Sequence, residues 1–345
     1  MKSESLLVSR RVNTHGNDNI LTFQNHNINQ VENHTHLGIT WSSNGSWKNH
    51  LTSIISKVSK RIDMLRALKF KLQREDLEII YFAFIRPLFE YASIVWDKMP
   101  RHDKYFNEME KLQLQCARIV TGTNNYASKQ LLYNDTGWDT LSCRRENQRL
   151  ILMYKIVHNL APTHLNRTLD TYTNEQNRYQ FRNINIHPPL TRTETFHNSF
   201  FPCAIRLWNS LEPSVRNAET VSAFKCKLNK NKRVRNPYYS FGLRKINTIL
   251  ASFRMGCSQL NSDLSKNNIT NNKLCTCGDE ETAFHFFFAC PKYTVLRNTF
   301  LSDTVFVERL TVNVILSGDF DMSIQHNIDL HNAVSNFIKK TDRFR

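Results

Sequence analysis

The stretch WKNHLTSIISKVSKRIDMLRAL, residues 47–68, decides the fold class of this chain. Its apolar residues recur at steps of three and four, which places them along one side of a helix. This stripe consists of Trp47, Leu51, Ile54, Ile55, Val58, Ile62, Leu65 and Leu68. Because the residues between them are mostly polar, the stretch predicts an amphipathic helix with one buried side.

Helical patterns continue through most of the chain that follows. A second helix is expected from Arg74, because the acids close behind that residue favour a helix N-terminus, and Pro87 should kink or restart it. A third helix, over residues 104–120, should end at Thr121-Gly122. Further helical patterns cover residues 139–160, 197–211 and 219–230. The chain is therefore predicted to be mainly α.

The first forty residues have a different pattern. Short apolar runs alternate with Asn, His and Gly, as in strands that are joined by turns. Strands are expected near residues 5–9, 20–23 and 36–40, at the edge of a sheet. We read these residues as a short N-terminal β-hairpin.

The composition points to a polyanionic partner. The 345 residues carry 46 Lys and Arg against 30 Asp and Glu, a formal net charge of +16, and the pI is about 9.6. Nucleic acid or an anionic membrane surface fits this charge, and an acidic small substrate is less expected. We expect no signal peptide and no stretch near the roughly 20 apolar residues of a membrane helix. The expected location is intracellular, in nucleus or cytoplasm, without a membrane partner.

Three of the eight cysteines and one of the thirteen histidines have the spacing of metal ligands. Cys275, Cys277, His285 and Cys290 form the pattern Cys-x-Cys-x7-His-x4-Cys. Three thiolates and one imidazole make a closed tetrahedral set, which suits structural Zn²⁺ and leaves no open position for catalysis. The alternative is that three buried cysteines and a core histidine coincide by chance.

The residues around these ligands fit the same hypothesis. Gly278 allows a turn after the first pair, and the acids at 279–281 favour a short helix that reaches Phe288. Five residues apart on a continuous helix, His285 and Cys290 would point in different directions. Pro291 biases Cys290 away from helical geometry, so that its sulfur can turn back toward the metal. Cys257 is left out of the set. The other cysteines are expected to be small buried hydrophobic residues.

Two groups of basic residues are candidates for contacts with phosphate, because phosphate neutralisation requires only charge on an accessible face. For each group the alternative is a solvated helix surface. The first group is Lys57, Lys60, Arg61, Arg66, Lys69, Lys71 and Arg74, and the second is Lys225, Lys227, Lys230, Lys232, Arg233 and Arg235. His34 and His36 are read as ordinary turn histidines, and Asp319 and Asp321 as a solvated loop.

Several short sequence motifs occur in order along nearly the whole chain. They are His36-Leu37-Gly38-Ile39, Trp47-Lys48-Asn49-His50, Ile80-Tyr81, Ile85-Arg86-Pro87-Leu88-Phe89-Glu90-Tyr91-Ala92, Val95-Trp96, Ser199-Phe200-Phe201-Pro202, Leu207-Trp208-Asn209, Phe224-Lys225, Arg254-Met255-Gly256 and Leu260-Asn261. The motifs up to Trp96 resemble the palm exit and thumb of non-LTR (LINE-type) retrotransposon reverse transcriptases. The motifs from Ser199 onward are similar to the carboxy-terminal half of jockey-like elements. The Cys/His segment, with Glu280-Glu281-Thr282, Tyr293 and Arg297, resembles the Cys/His segment near the end of these enzymes.

This resemblance implies a nucleic-acid-binding fragment of an RNA-directed DNA polymerase. The thumb would hold RNA, DNA or their hybrid by its backbone. The family's aromatic-x-Asp-Asp box, which holds two Mg²⁺ ions, has no counterpart here, because the chain contains no Asp-Asp dipeptide. No catalytic residue is assigned, and no activity is expected from this chain alone. The alternatives are a portion of an active polymerase whose palm, with Mg²⁺, is encoded upstream, and a non-functional product of a decayed element.

The resemblance and the patterns together predict five parts. They are palm-exit strands at 1–45, a helical thumb-like domain at 46–165, a polar linker at 166–195, a basic helical region at 196–256 and a Cys/His zinc-binding helical module at 257–345.

Overall fold

The computed structural model describes residues 4–8, 21–23, 26–97, 103–173, 186–229, 236–302 and 307–344. Helix accounts for 63% and strand for 6%, which confirms the mainly α prediction. The chain forms two compact units. Unit 1 consists of Met1–Lys60, Arg86–Lys111 and Thr140–Lys230, and unit 2 of Arg61–Ile85, Leu112–Asp139 and Asn231–Arg345. The segments of the two units alternate along the sequence, and the five-part division stays a prediction.

Within the described part of the first 42 residues, the strands form three two-stranded sheets. They are β1 (Glu4–Ser5), β2 (Thr22–Phe23), β3 (His26–Asn27), β4 (Asn29–Gln30), β5 (Asn33–His36) and β6 (Ile39–Ser42). β1 pairs with β4 in parallel, whereas β2 with β3 and β5 with β6 pair antiparallel. The prediction of one strand over residues 36–40 is wrong, because Leu37 and Gly38 lie between β5 and β6. Leu37 and Gly38 have φ of 47° and 77°, so they form the two-residue turn of the β5–β6 hairpin.

Helices occur in every range predicted up to residue 230, whereas the α-helices from Arg244 onward had no individual prediction. In chain order, the α-helices of the described residues are α1 (Lys48–Leu68), α2 (Arg74–Ile80), α3 (Arg86–Glu90), α4 (Ser93–Trp96), α5 (Lys104–Thr121), α6 (Lys129–Thr136), α7 (Leu141–Val157), α8 (Thr163–Thr173), α9 (Glu194–His197), α10 (Phe200–Asn209), α11 (Pro213–Arg216), α12 (Val221–Leu228), α13 (Arg244–Arg254), α14 (Asn261–Lys266), α15 (Thr294–Ser302), α16 (Val312–Ser317) and α17 (Ile324–Thr341). The predicted linker at 166–195 is partly corrected, because α8 extends through Thr173.

Pro87 interrupts the second helix as predicted. Between α2 and α3 the chain forms a π-helical turn, Tyr81–Ile85. Proline has no N–H to donate and its ring crowds the carbonyl four residues earlier, so the helix widens by one residue before it. The predicted end of α5 is also confirmed, because Gly122 adopts φ of 85°. A Cβ at this glycine would lie 2.1 Å from a methyl carbon of Thr248, so no other residue fits there without a shift.

Each unit has its own apolar core. In unit 1, the rings of Tyr154, Trp208 and Phe224 pack together, with Tyr154 and Phe224 centred 4.5 Å apart. In unit 2, Phe286 and Phe337 stand edge to face, 5.5 Å apart, within a cluster that joins α13, α17 and the Cys/His segment. Aromatic pairs in this geometry add to the stabilisation that burial itself provides.

A network of buried charges lies in unit 2. The Asp135 carboxylate accepts from Arg74 Nη1 at 2.6 Å and from Arg254 Nε at 2.7 Å. Arg74 also donates to Glu78 at 3.0 Å, and the Arg254 guanidinium lies 3.7 Å from the centre of the Tyr239 ring. Burial disfavours the Asp135 carboxylate, but its two arginine partners outweigh burial and lower the pKa of Asp135. The network joins residues that are up to 180 positions apart in sequence.

The buried His331 predicts a pH dependence of stability. Its Nε2 lies 2.9 Å from the Asn247 Oδ1 acceptor, and burial, followed by the charges of Arg254 and Lys339, lowers the pKa of His331 from 6.5 to about 4. The neutral ring therefore stabilises the fold fully above pH 6.5, and this contribution is lost as pH falls toward 4. We expect His331→Gln to reduce the fall in unfolding free energy across this window by up to about 3 kcal/mol. Urea denaturation of both proteins tests this, and parallel pH profiles would contradict it.

One region passes the length and composition test for a membrane span. The 23 residues Arg74–Trp96 form a helical stretch that is long and apolar enough to cross a membrane, judged by length and composition alone. This corrects the expectation that no stretch is long and apolar enough. A single region of this kind is weak evidence, because core helices of water-soluble proteins pass the same test.

Candidate metal centre

The structure brings together the four side chains that the spacing singled out. One ligand atom from each of Cys275, Cys277, His285 and Cys290 lies within 4.8 Å of the other three. The Sγ atoms of Cys275 and Cys290 are 3.8 Å apart, and Cys277 Sγ is 3.2 Å from His285 Nε2. Cys290 is fully buried and Cys277 is the most exposed of the four. This cluster can hold a metal ion.

A tight turn positions the first two ligands. Leu274 and Glu280 pair as an isolated antiparallel bridge, the Cys275 N–H donates to the Asp279 carbonyl at 2.7 Å, and the Gly278 N–H donates to the Cys275 carbonyl at 3.0 Å. Gly278 has φ of 102°, a conformation that L side chains rarely adopt. The prediction that glycine permits this turn is confirmed.

A π-helical turn positions the other two ligands. His285–Ala289 is π-helical, and the Cys290 N–H donates to the His285 carbonyl at 2.7 Å. Since a π turn closes five residues apart, it brings both ends of this segment to one side. Cys290 itself is extended, with φ of −60° and ψ of 120°, as predicted from Pro291. The expectation that the acids at 279–281 begin the helix is corrected, because helical structure starts only at residue 283.

The thiols influence one another electrostatically. Burial disfavours the Cys275 thiolate, but hydrogen bonds from the Cys277 backbone N–H and the His285 side chain outweigh it and lower the pKa of Cys275 to about 7. Burial and the adjacent Cys275 sulfur raise the pKa of Cys290 to about 11. A second thiolate in this space is therefore costly without a cation, and a bound metal ion would supply the compensating charge.

Further groups lie near the ligands. The Asp279 carboxylate lies 3.9 Å from His285 Nδ1, opposite the nitrogen that faces the cluster. Arg297 donates to the carbonyls of Phe287 and Cys290, at 3.0 and 2.6 Å, and so holds the end of the π turn. Arg297 therefore fixes backbone orientation beside the ligands, whereas the exposed Asp279 carboxylate is too far from His285 Nδ1 for a direct hydrogen bond. Arg297 had drawn attention only through the resemblance.

A buried ion pair ties this segment to the C-terminus of the chain. Glu281 is 4% exposed and accepts from Arg343 Nε and Nη2 at 2.8 and 2.9 Å, and from the Asn261 N–H at 2.8 Å. Phe344 packs against Phe253 and Phe286. Sequence reasoning missed this pair, since 62 residues separate Glu281 from Arg343 and no local pattern links them.

Other predicted features have ordinary settings. His34 lies in β5 and contacts the Glu4 carboxylate at 3.0 Å, so it is a strand residue and not a turn residue. Cys257 is buried outside the metal cluster, as expected, whereas Cys143 and Cys226 are exposed, so the expectation that they are buried hydrophobic residues is wrong. Asp321 is exposed in a turn where its N–H donates to the Asp319 side chain at 3.0 Å. The loop prediction for this acidic pair is confirmed.

The basic residues of α1 do not all share one face. Viewed down the helix axis, Lys57, Lys60 and Arg61 fall within an arc of roughly 100°, whereas Arg66 lies about 180° from Lys57. Arg66 pairs with the exposed Asp63 at 2.6 Å. Arg61 donates to the Phe84 carbonyl. The charges of α1 therefore lie on both sides of its buried stripe.

Arg74 requires a correction. It was predicted as a phosphate contact, but it is 2% exposed and pairs with Glu78 and Asp135 in the unit 2 network. The acids of its own helix and of α6 compensate its charge, so it has no access to phosphate. Lys69 is half-buried, and burial, followed by the charges of Arg244 and Arg66, lowers the pKa of Lys69. Lys71 is exposed.

The second basic group is only partly described. Lys225 is exposed on α12, and Lys227 donates to the Ser214 carbonyl at 2.6 Å. The remaining members, Lys230, Lys232, Arg233 and Arg235, lie outside the described residues.

Comparison with known proteins gives no assignment. No protein-family model matches this chain, and no curated protein matches it. The likeness to LINE-type reverse transcriptases rests on the sequence motifs quoted above.

Proposed function

We propose that this chain is a nucleic-acid-binding part of a non-LTR retrotransposon reverse transcriptase, organised near its C-terminus by one structural zinc ion and without polymerase chemistry of its own. The observation that carries this proposal is the Cys275, Cys277, His285 and Cys290 cluster in a chain of net charge +16. The order of the sequence motifs that resemble this family also supports the proposal. The absence of an Asp-Asp dipeptide supports the lack of catalysis.

The donor set fits zinc. Around a tetrahedral Zn²⁺ with ordinary bond lengths, two sulfurs are about 3.8 Å apart, and a sulfur and a nitrogen about 3.6 Å apart. The Cys275 to Cys290 separation is 3.8 Å and the Cys277 to His285 separation is 3.2 Å. Four protein ligands leave no position for a reactive water, so the ion would act on folding and not on chemistry.

Nucleic acid is the partner that the charge favours. Lys57 and Lys60 are exposed on the same side of α1, and Lys71 is exposed beyond its end. Contacts of lysine with phosphate release counterions, so they give affinity that falls with salt and depends little on sequence. RNA, DNA and their hybrid all present this chemistry, and no small-molecule substrate is part of the proposal.

The test is the salt dependence of binding. We expect the full chain to bind labelled RNA and DNA, and we expect Lys57→Ala and Lys60→Ala each to reduce the slope of log K against log salt by about 0.9 on duplex DNA. Fluorescence anisotropy over a salt series measures both quantities. Lys340→Ala, an exposed lysine on α17, is the matched control and should leave the slope unchanged. Binding that is absent or insensitive to salt would contradict the proposal.

A further inference from the structure

Residues 61–85 of unit 2 expose several large apolar side chains beside cations. Phe70 is 81%, Met64 68% and Phe84 61% exposed. Lys69 and Lys71 flank Phe70, and Arg61 precedes Met64 by one helical turn. We call Arg61, Met64, Lys69, Phe70, Lys71 and Phe84 the aromatic and basic strip.

The strip follows the last turns of α1. Arg61 donates to the Phe84 carbonyl, so the π turn that carries Phe84 lies beside the helix at this point. Phe70 is the second residue of the turn that follows α1, and it lies nine residues beyond Arg61 in the chain. Lys69 Nζ lies 5.3 Å from the centre of the Phe70 ring. The exposed Phe70 ring therefore lies beside a lysine, and the residue that carries the exposed Phe84 ring is bonded through its backbone to an arginine of α1.

The charge around these rings indicates what could cover them. Phe320 in the same unit is 80% exposed, but Asp319 and Asp321 flank it, so its setting is acidic. Phe70 has equal exposure between two lysines. The closest acid on α1, Asp63, is paired with Arg66 at 2.6 Å, and Glu75 and Asp76 follow only at the start of α2. Exposed rings interleaved with cations are complementary to an anion that carries flat apolar faces.

We propose that the strip binds unpaired nucleotides, with Phe70 and Phe84 stacking on bases and Arg61, Lys69 and Lys71 contacting phosphates. The inference rests on the proposed function and narrows its ligand to single-stranded nucleic acid. A paired duplex shields its base faces and is held through phosphate alone, so it gains nothing from the rings.

The experiment compares a short single-stranded RNA with a duplex of the same sequence by fluorescence anisotropy. Phe70→Ala and Phe84→Ala are each expected to weaken single-strand binding about tenfold and to leave duplex binding unchanged. Phe70→Trp should retain the affinity because it retains a stacking face. Phe70→Leu should lose as much as alanine, because it is apolar without a ring.

Phe320→Ala is the matched control for loss of an exposed ring and should change neither affinity. Far-UV circular dichroism and zinc content establish that each variant keeps its fold. The inference is overturned if Phe70→Ala and Phe84→Ala weaken duplex and single-strand binding equally, or if they change neither affinity. In both cases, salt-sensitive binding by the wild type would still support the proposed function. Absence of salt-sensitive binding in the wild type would remove the proposed function itself.

Two other occupants have distinct outcomes. A second copy of the chain would give concentration-dependent self-association that Phe70→Ala reverses, measured by sedimentation velocity without RNA. A membrane surface would give binding to phosphatidylserine vesicles that the same variant abolishes. Either result would overturn the assignment to nucleic acid.

Discussion

Replacing His285 by alanine is expected to release the metal ion and to unfold much of the segment after residue 257. The wild type should carry about one zinc per chain, and the variant close to none. Structural zinc contributes roughly 10–16 kcal/mol of apparent binding free energy at neutral pH, which is comparable to or larger than the whole stability of an ordinary domain. The rings of Phe286 and Phe287 flank the ligands, so loss of the ion should loosen the core of unit 2. Metal analysis and proteolysis of the purified chain measure both effects.

Cys277→Ser should have the same effect, because it removes a ligand without changing the size of the side chain greatly. Cys143→Ser is the control, since Cys143 is exposed and far from the cluster in sequence. A strong chelator should reproduce the loss in the wild type. Retention of a protease-resistant C-terminal segment in the chelated protein would refute a structural role for the ion.

Asp135→Asn is expected to cost about 3–5 kcal/mol of unfolding free energy at neutral pH, since it leaves buried arginines without their shared carboxylate. Among the described residues, Asp135 bridges Arg74 and Arg254, and Glu78 also pairs with Arg74. The pKa of Asp135 is lowered by these partners, so its contribution is present above the unfolded pKa near 4 and is lost as pH falls further. The difference between wild type and variant should therefore shrink in acid.

Urea denaturation followed by circular dichroism measures this cost. Asp139→Asn is the matched control, because Asp139 is an exposed acid four residues away, and its replacement should change stability by less than about 0.5 kcal/mol. A cost below that limit for Asp135→Asn would mean that the buried network does not hold unit 2 together.

Local sequence patterns predicted α1 and α5 closely but gave no separate prediction for α17. The apolar stripe of residues 47–68 gave the N-terminal end of α1 to within one residue, and its C-terminal end at Leu68. The break at Pro87 and the glycine end of α5 followed from backbone chemistry that needs no partner. The strand prediction at residues 36–40 failed because Leu37, an apolar residue, takes a positive φ in the hairpin turn. Hydrophobicity gives no signal for that conformation.

The metal site was predictable for a similar reason. All four ligands lie within sixteen residues, so their spacing alone limits the possible geometries, and Pro291 indicated how Cys290 could leave the helix. The π turn at His285–Ala289 was not predicted, because an extra residue in a helical turn changes hydrogen bonding without changing the apolar pattern.

The sequence by itself determined the mainly helical fold, the bounds of α1 and α5 and the identity of the four clustered ligands, because each depends on residues that are near one another in the chain. Only the tertiary structure decided that Arg74 is buried, that Glu281 pairs with Arg343 and that Phe70 stays exposed. Burial and ion pairing depend on which distant segments meet, and a charged or aromatic residue carries no local mark of its eventual neighbours.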